Sequence, residues 1–234
     1  TGGNVFHMWQ MLGFLQNKES LQYSVSTNKW TWDVASIKRQ TSLNEGAVGI
    51  VVARIEGFTE NERECLKVCC CLGFRFYCRP LITVGPALIE AEGEEIHLLI
   101  DSLIDHGLLE NVNNTRLQFA HSKIFEAAER LHPNESSRAR ANLKIGKLLL
   151  EDMGDNLNQR DEAKFFLCVD QLNRGRDLIE DEQFRTELAK LNLRAGKHAA
   201  SVSAFLPAAT FLETGVSLLK QTTCWQEQYE LCLE

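Results

Sequence analysis

Residues 94–121 read EEIHLLIDSLIDHGLLENVNNTRLQFAH, and the fold class turns on them. Ile96, Leu99, Ile100, Leu103 and Ile104 recur at steps of three and one, which makes one face of an amphipathic helix. Gly107 ends it. Leu108–Val112 and Leu117–Ala120 then flank Asn113-Asn114, the signature of two short strands joined by a tight turn. Upstream, Thr59 with Glu62 three residues later gives a capping box. The helix it opens runs through Cys65, Leu66, Cys69 and Cys70 and stops at Gly73. Residues 43–56 show helical spacing again, through Leu43, Ala47, Ile50, Val51 and Ile55. The stretch from Phe74 to Pro86 reads as irregular, with one short helix at Pro80–Val84. Helix, helix, helix, hairpin is the order of a winged helix, a variant of the helix-turn-helix.

Towards the N-terminus, residues 4–16 (NVFHMWQMLGFLQ) leave almost no polar face. A helix apolar all round needs cover on two sides; the winged helix can supply one, so an exposed apolar patch is expected on the other, around Phe6 and Trp9. Residues 21–34 change character: Leu21, Tyr23 and Val25 alternate, Ser-Thr-Asn-Lys turns the chain, and Trp30, Thr31, Trp32 and Val34 follow. That is a β-hairpin with a polar loop.

Towards the C-terminus only helices are expected, over 121–131, 136–153, 160–179, 182–199, 203–220 and 224–234. The breaks fall at His132-Pro133, Gly154-Asp155, Glu180-Asp181 and Gln221-Thr222. Helices of this length with short connections predict stacked antiparallel hairpins. If Gly196 is the small residue of a tetratricopeptide first helix, Ala208, Leu212 and Gly215 fall at the matching second-helix positions. The consensus tryptophan and terminal proline are absent, so the repeat is degenerate. The expectation is a mainly α chain: a winged-helix-like domain with two short β-hairpins at 21–133, preceded by a separate helical piece at 1–20, and a tetratricopeptide-like helical region at 134–234.

Composition bounds the rest. The chain has 234 residues, 44% hydrophobic and 24% charged, which excludes a collagen, a disordered tail and a disulfide miniprotein. No apolar run reaches the roughly 18 residues of a membrane span. The start shows no basic n-region followed by an apolar core, so no secretory signal is expected in this stretch. A chain opening on Thr1 reads as a fragment or a processed product. Eight cysteines are present, three of them consecutive at 69–71. Adjacent cysteines cannot all be bridged without distorting the backbone, and no second pair completes a zinc pattern. They are expected to be buried reduced thiols in a cytoplasmic protein.

No catalytic constellation is assembled. Gly146-Lys147 and Gly196-Lys197 lack both the upstream glycine and the following Ser/Thr of a phosphate-binding loop. Leu98-Leu99-Ile100-Asp101 could pass for the strand and acid that hold magnesium, but its spacing is helical. No GxSxG occurs, and no Cys–His pair stands in a recognisable setting. The six histidines are scattered. His121, at a strand-to-helix corner, is the most constrained of them and reads as a side chain fixing that corner. A winged helix raises the question of DNA. The segment in the recognition position, residues 94–106, carries Glu94, Glu95, Asp101 and Asp105 and no Lys or Arg, within a chain of net charge −7. Phosphate contact needs cations there. An interaction module fits better than a winged-helix transcription regulator with a helical effector domain.

A series of short motifs runs through the chain: Gly3-Asn4-Val5-Phe6, Trp30-Thr31-Trp32-Asp33, Cys71-Leu72-Gly73 with Phe76, and Leu103 to Leu109. Phe119-Ala120-His121 with Ala127-Ala128, Ile145 to Leu149, Asp170 to Asn173 with Gly175, Leu191 to Lys197, and Trp225 with Tyr229 complete it. In this order they resemble the C-terminal half of the STAND-type predicted ATPase module of large signalling proteins. That module sits between a serine/threonine kinase-like domain and GAF plus histidine-kinase domains. The chain departs from the family at Val5, where Pro is usual, and at Ser122, where Asp follows the histidine.

The resemblance implies that the nucleotide core, with its ATP and Mg, lies upstream and that this stretch needs no cofactor. It further implies a helical-lid remnant at 1–20, a winged helix, and the start of a helical-repeat arm that ends mid-arm. The implied role is non-catalytic regulation and scaffolding. The partners would be the upstream ATPase core, other domains of the same chain and other proteins, without nucleic acid or membrane. No catalytic, cofactor-binding or metal-binding residue is assigned. Phe6, Trp9, Trp32, Gly73, His121 and Gly196 are the interaction and structural candidates.

Overall fold

The computed structural model describes residues 5–42, 46–154 and 161–219, and the chain separates into two compact units, residues 1–133 and 134–234. It is mainly helical, with two small antiparallel sheets.

The first unit opens with α1 (Val5–Asn17), then β1 (Leu21–Ser24) and β2 (Lys29–Trp32), paired so that Leu21 faces Trp32 and Tyr23 faces Trp30. Two helices follow, α2 (Val34–Ser42) and α3 (Gly46–Ile55). The sequence signalled no element for α2. Its start is fixed by Asp33, whose carboxylate accepts the N–H of Ala35 at 2.9 Å. Phe14 and Leu15 of α1 form a core with Ile50 of α3, against which Met11, Leu21, Ile37 and Ala53 pack. The exposed apolar patch expected on α1 around Trp9 is present. Residues 11, 14 and 15 turn inward, whereas Val5, Met8, Trp9 and Leu12 are exposed along another face. Within this unit α1 packs on α3 and β1, and that covers one side only.

The heart of the unit is α4 (Glu60–Leu72), β3 (Arg75–Tyr77), α5 (Cys78–Ile89), α6 (Gly93–Asp105), β4 (Leu109–Asn113), β5 (Arg116–Phe119) and α7 (Ser122–Glu129). The capping box at Thr59 forms as the sequence signals it, with Thr59 and Glu62 each accepting the other's backbone N–H. Gly73 follows α4 with φ at +117°, and its N–H reaches the Cys69 and Cys70 carbonyls at 3.2 Å. A side chain at that φ would be strained.

The helix expected at Pro80–Val84 forms and is longer, as α5, while the part expected to be irregular before it holds the strand β3. β3 is too short to show a period, yet it pairs with β5 through Phe76↔Leu117 and gives the sheet order β3-β5-β4. α5 extends beyond Gly85-Pro86 to Ile89 because Leu81, Val84, Gly85 and Ile89 are all buried. Burial of one face outweighs the breaker chemistry of a late proline. Gly85 lets α6 approach, since a Cβ there would lie 2.9 Å from Ile96 Cδ1. The buried thiols Cys65, Cys69, Cys70 and Cys71 behave as small hydrophobes on the inner face of α4. Burial pushes the Cys69 thiol well up, and its neighbours Cys65, Cys70 and Cys78 add to that.

The second unit contains α8 (Glu135–Met153), α9 (Glu162–Arg174), a single 3-10 turn at Arg176–Leu178, α10 (Glu182–Ser201) and α11 (Phe205–Leu218). The helix expected at 224–234 lies outside the described residues. α8 pairs with α9 and α10 with α11, and the two hairpins are built alike. A Cβ on Gly146 of α8 would lie 2.7 Å from Leu172 of α9, and one on Gly196 of α10 would lie 2.6 Å from Leu212 of α11. Gly175 closes on Ala139 and Leu143 as Gly215 closes on Ala189 and Asn192. In sequence the first helices share Asn-Leu-Lys/Arg-Ile/Ala-Gly-Lys, at 142–147 and 192–197.

Candidate functional site

The six candidate residues do not converge on a pocket. Gly73 and Gly196 serve packing and chain reversal, as described above. His121 caps α7: its Nδ1 accepts the N–H of Lys123 at 3.1 Å. The side chain of Phe6 lies outside the described residues. Trp9 and Trp32 are the two that face solvent, with 71% and 61% of their surface exposed.

Around them the first unit presents an apolar surface. On α1, residues 5, 8, 9 and 12 follow one helical face and are all exposed. On the hairpin, the cross-strand pairs put Leu21, Tyr23, Trp30 and Trp32 on one side, and Tyr23 meets Trp30 edge-on at 5.3 Å. Such rings on a marginal two-stranded ribbon stiffen it. Leu21 belongs to the α1 core, and the Asp33 N–H donates to the Ser20 carbonyl at 3.2 Å, so the hairpin is anchored to the end of α1. The sequence singled out Trp9 and Trp32 separately. The Leu21↔Trp32 register, with Leu21 inside the α1 core, is what joins helix and hairpin, and no local sequence pattern signals it.

Charge is organised elsewhere. Glu94, Glu95, Asp101 and Asp105 are all exposed on α6. At the other side of that helix, Glu62 accepts the Thr59 N–H at 2.9 Å, the Thr59 hydroxyl at 2.8 Å and the Ser102 hydroxyl at 2.5 Å. His106 Nε2 stands 3.9 Å from it, and the His106 ring stacks on Phe58. Arg54 donates to the His106 carbonyl at 2.5 Å. Arg54, Phe58, Thr59, Glu62 and His106, with Phe14 and Lys18, line a hollow of about 310 Å³. Burial by itself would raise the Glu62 carboxyl, but the donors from Ser102 and Thr59 and the charge of His106 outweigh it and hold it low.

A carboxyl depressed in the folded state stabilises above its unfolded value, and the contribution is lost as pH falls through the folded one. Glu62→Gln should therefore cost about 2 kcal/mol at neutral pH. The difference from wild type should shrink as pH falls through the carboxylate range. Urea midpoints at several pH values measure it, and a pH-independent difference would contradict this account.

Among the described residues, no group of three or more His, Cys, Asp or Glu could hold a metal ion, and no helix is long and apolar enough to cross a membrane.

No family model and no solved structure matches the chain. It is similar to the hybrid signal transduction histidine kinase G of Dictyostelium discoideum, at 22% identity over 287 aligned residues. That alignment takes in 99% of this chain and 8% of the relative, so the chain spans a small part of the length of the protein it resembles.

Proposed function

We propose that this chain is a non-catalytic regulatory and scaffold segment of a STAND-type signal-transduction ATPase. The observation that carries the reading is the likeness, end to end, to a stretch amounting to 8% of a signalling histidine kinase. A segment that small in a protein that large works through its neighbours. The apolar face of α1 and the aromatic face of the hairpin suit that role, since contiguous exposed apolar surface marks an interface.

In this reading α4 to β5 is a winged helix used for packing. Its support is the helix–strand–helix–helix–hairpin order with sheet order β3-β5-β4. The second unit is the start of a repeat arm, supported by the two matched hairpins. ATP and Mg belong to a core outside this chain, so calorimetric titration with Mg-ATP should give no saturable heat. A micromolar site would refute the reading. A phosphate-binding loop upstream of Thr1 in the parent reading frame is the second requirement.

The winged-helix order also supports a second reading, a DNA-binding regulator. The exposed acids of α6 oppose it, because a helix in the major groove must meet phosphate with cations. A mobility shift at low salt should show no complex. Binding that weakens as salt rises would favour the regulator instead.

A further inference from the structure

The three-stranded sheet of the first unit has an inner and an outer side. Phe76, Leu117 and Phe119 are buried on the inner one. Alternation along each strand puts Arg75 and Tyr77 of β3, Arg116 and Gln118 of β5 and Glu110 of β4 on the outer one. Arg75, Tyr77 and Glu110 are exposed, and Arg116 and Gln118 are half-buried. The register sets two rows across this face, Arg75↔Gln118 and Tyr77↔Arg116. In the first row, Arg75 Nε and Nη2 both donate to Gln118 Oε1, at 3.1 and 2.8 Å, and Gln118 Nε2 donates to Glu110 Oε2 at 3.2 Å. In the second, the Arg116 guanidinium lies 4.4 Å from the centre of the Tyr77 ring, and its Nη2 donates to the Tyr77 hydroxyl. Arg79, exposed in the first turn of α5, follows Tyr77 by two residues.

The partners of these arginines are neutral. Elsewhere arginines meet carboxylates: Arg63 that of Glu60, Arg130 that of Glu126 at 3.0 Å and Arg174 that of Asp170 at 2.8 Å. Among the described residues, none of Arg75, Arg79 and Arg116 makes a salt bridge. In a chain of net charge −7, a face that holds two guanidinium forks in place without an acid is organised for an acid from outside. A carboxylate is a stronger acceptor than an amide oxygen or a phenol, and its two oxygens match the fork. The rows are two residues apart along the strands, about 7 Å. Alternate side chains of an extended peptide share one face at that same spacing.

We infer that the outer face of the β3-β5-β4 sheet binds an extended acidic peptide segment with carboxylates at alternate positions, one meeting the Arg75 fork and the next the Arg116 fork. The first displaces the Gln118 amide oxygen. Glu110, on β4, repels the segment and keeps its acids over β3 and β5. A single-stranded nucleic acid fits less well, because its bases need an open aromatic platform, and the Tyr77 ring is covered by Arg116. The inference stands on the sheet register and its charge and not on the signalling reading, so either can fail without the other.

The probes are two fluorescein-labelled heptapeptides of identical composition, Val-Thr-Glu-Thr-Glu-Thr-Val and Val-Thr-Thr-Glu-Glu-Thr-Val. Added to the full chain at low salt, the first should bind saturably by fluorescence anisotropy, and binding should weaken as salt rises. The second has adjacent acids, which point to opposite sides of an extended chain, so it should bind about fivefold more weakly. Arg75→Gln and Arg116→Gln should each weaken the first peptide about fivefold, the scale of one exposed ion pair. Arg75→Lys, which keeps the charge and loses the fork, should recover only part of that loss. Arg174→Gln, at an arginine that already has its acid, should change nothing. Circular dichroism melts confirm that the variants fold. Absent binding, equal binding of the two peptides, or binding indifferent to Arg75 and Arg116 would each overturn the proposal. So would tighter binding of a short oligothymidylate strand through the same two arginines, which would give the face to nucleic acid.

Discussion

Gly175→Ala is expected to destabilise the second unit by about 3 kcal/mol, the upper end of the range for overpacking a well-filled contact. The added Cβ would lie 2.6 Å from Leu143 Cβ, 2.8 Å from the Ala139 carbonyl oxygen and 3.1 Å from Leu143 Cα. None of these atoms can move by rotating a side chain, so α8 and α9 must separate. Gly196→Ala meets Leu212 Cγ at 2.6 Å and Cδ2 at 2.7 Å, together with the Ala208 carbonyl at 3.3 Å. A leucine side chain can shift part of the way, and the cost should fall nearer 1–2 kcal/mol. Gly93→Ala is the control, since nothing lies within 4 Å of the new Cβ. It should be neutral or slightly stabilising, by reducing the freedom of the unfolded chain. Thermal melts of the three variants test the order. If Gly175→Ala melts with wild type, the close approach of α8 and α9 is wrong.

That comparison also shows how far a sequence can be read. Residues 94–121 announced α6 and the β4–β5 hairpin because a period of 3.6 gave way to alternation around Asn113-Asn114. The capping box at Thr59 was legible because its two members stand only three residues apart. The contact of Gly196 with Ala208 and Leu212 was legible as a spacing within one hairpin, whereas Gly215 packs on Asn192 and Ala189 instead. What escaped depends on residues far apart in the chain. β3 is held by pairing with β5, some 40 residues later, and α5 continues past Pro86 because Ile96 and its neighbours cover it. The match between the two hairpins was hidden by their connections: Gly146 and Gly175 are 29 residues apart, Gly196 and Gly215 only 19. A period search fails on such a pair, although the Asn-Leu-Lys/Arg-x-Gly-Lys stretches repeat almost unchanged. Asn142 and Asn192 look equivalent in sequence, yet Asn192 exchanges hydrogen bonds with Asn173 at 2.8 Å, whereas the buried Asn142 Oδ1 meets no donor among the described residues.

The isolated chain should bind a hydrophobic dye or self-associate, and Met8→Ser with Trp9→Ser should strongly reduce both without unfolding it. The sequence of α1 argued that eight large apolar residues between 5 and 15 could not all find cover on one side. The structure divides them. Residues 11, 14 and 15 pack towards α3, and residues 5, 8, 9 and 12 do not. The two faces predict opposite outcomes for the same chemical change. A serine at Trp9, which is 71% exposed, removes little buried area, so its stability effect should stay within about 0.5 kcal/mol. A serine at Phe14, which is 4% exposed, empties the core it shares with Leu15 and Ile50 and should cost about 3–5 kcal/mol. Dye fluorescence and light scattering report the first effect, and denaturant melts report the second. Trp32→Ser tests whether the hairpin belongs to the same surface, and it should lower dye binding further. If the wild-type chain is monodisperse and dye-silent, the α1 face is not a vacant interface. If the Met8 and Trp9 substitutions unfold the first unit, that face is core and the case for a missing neighbour falls with it.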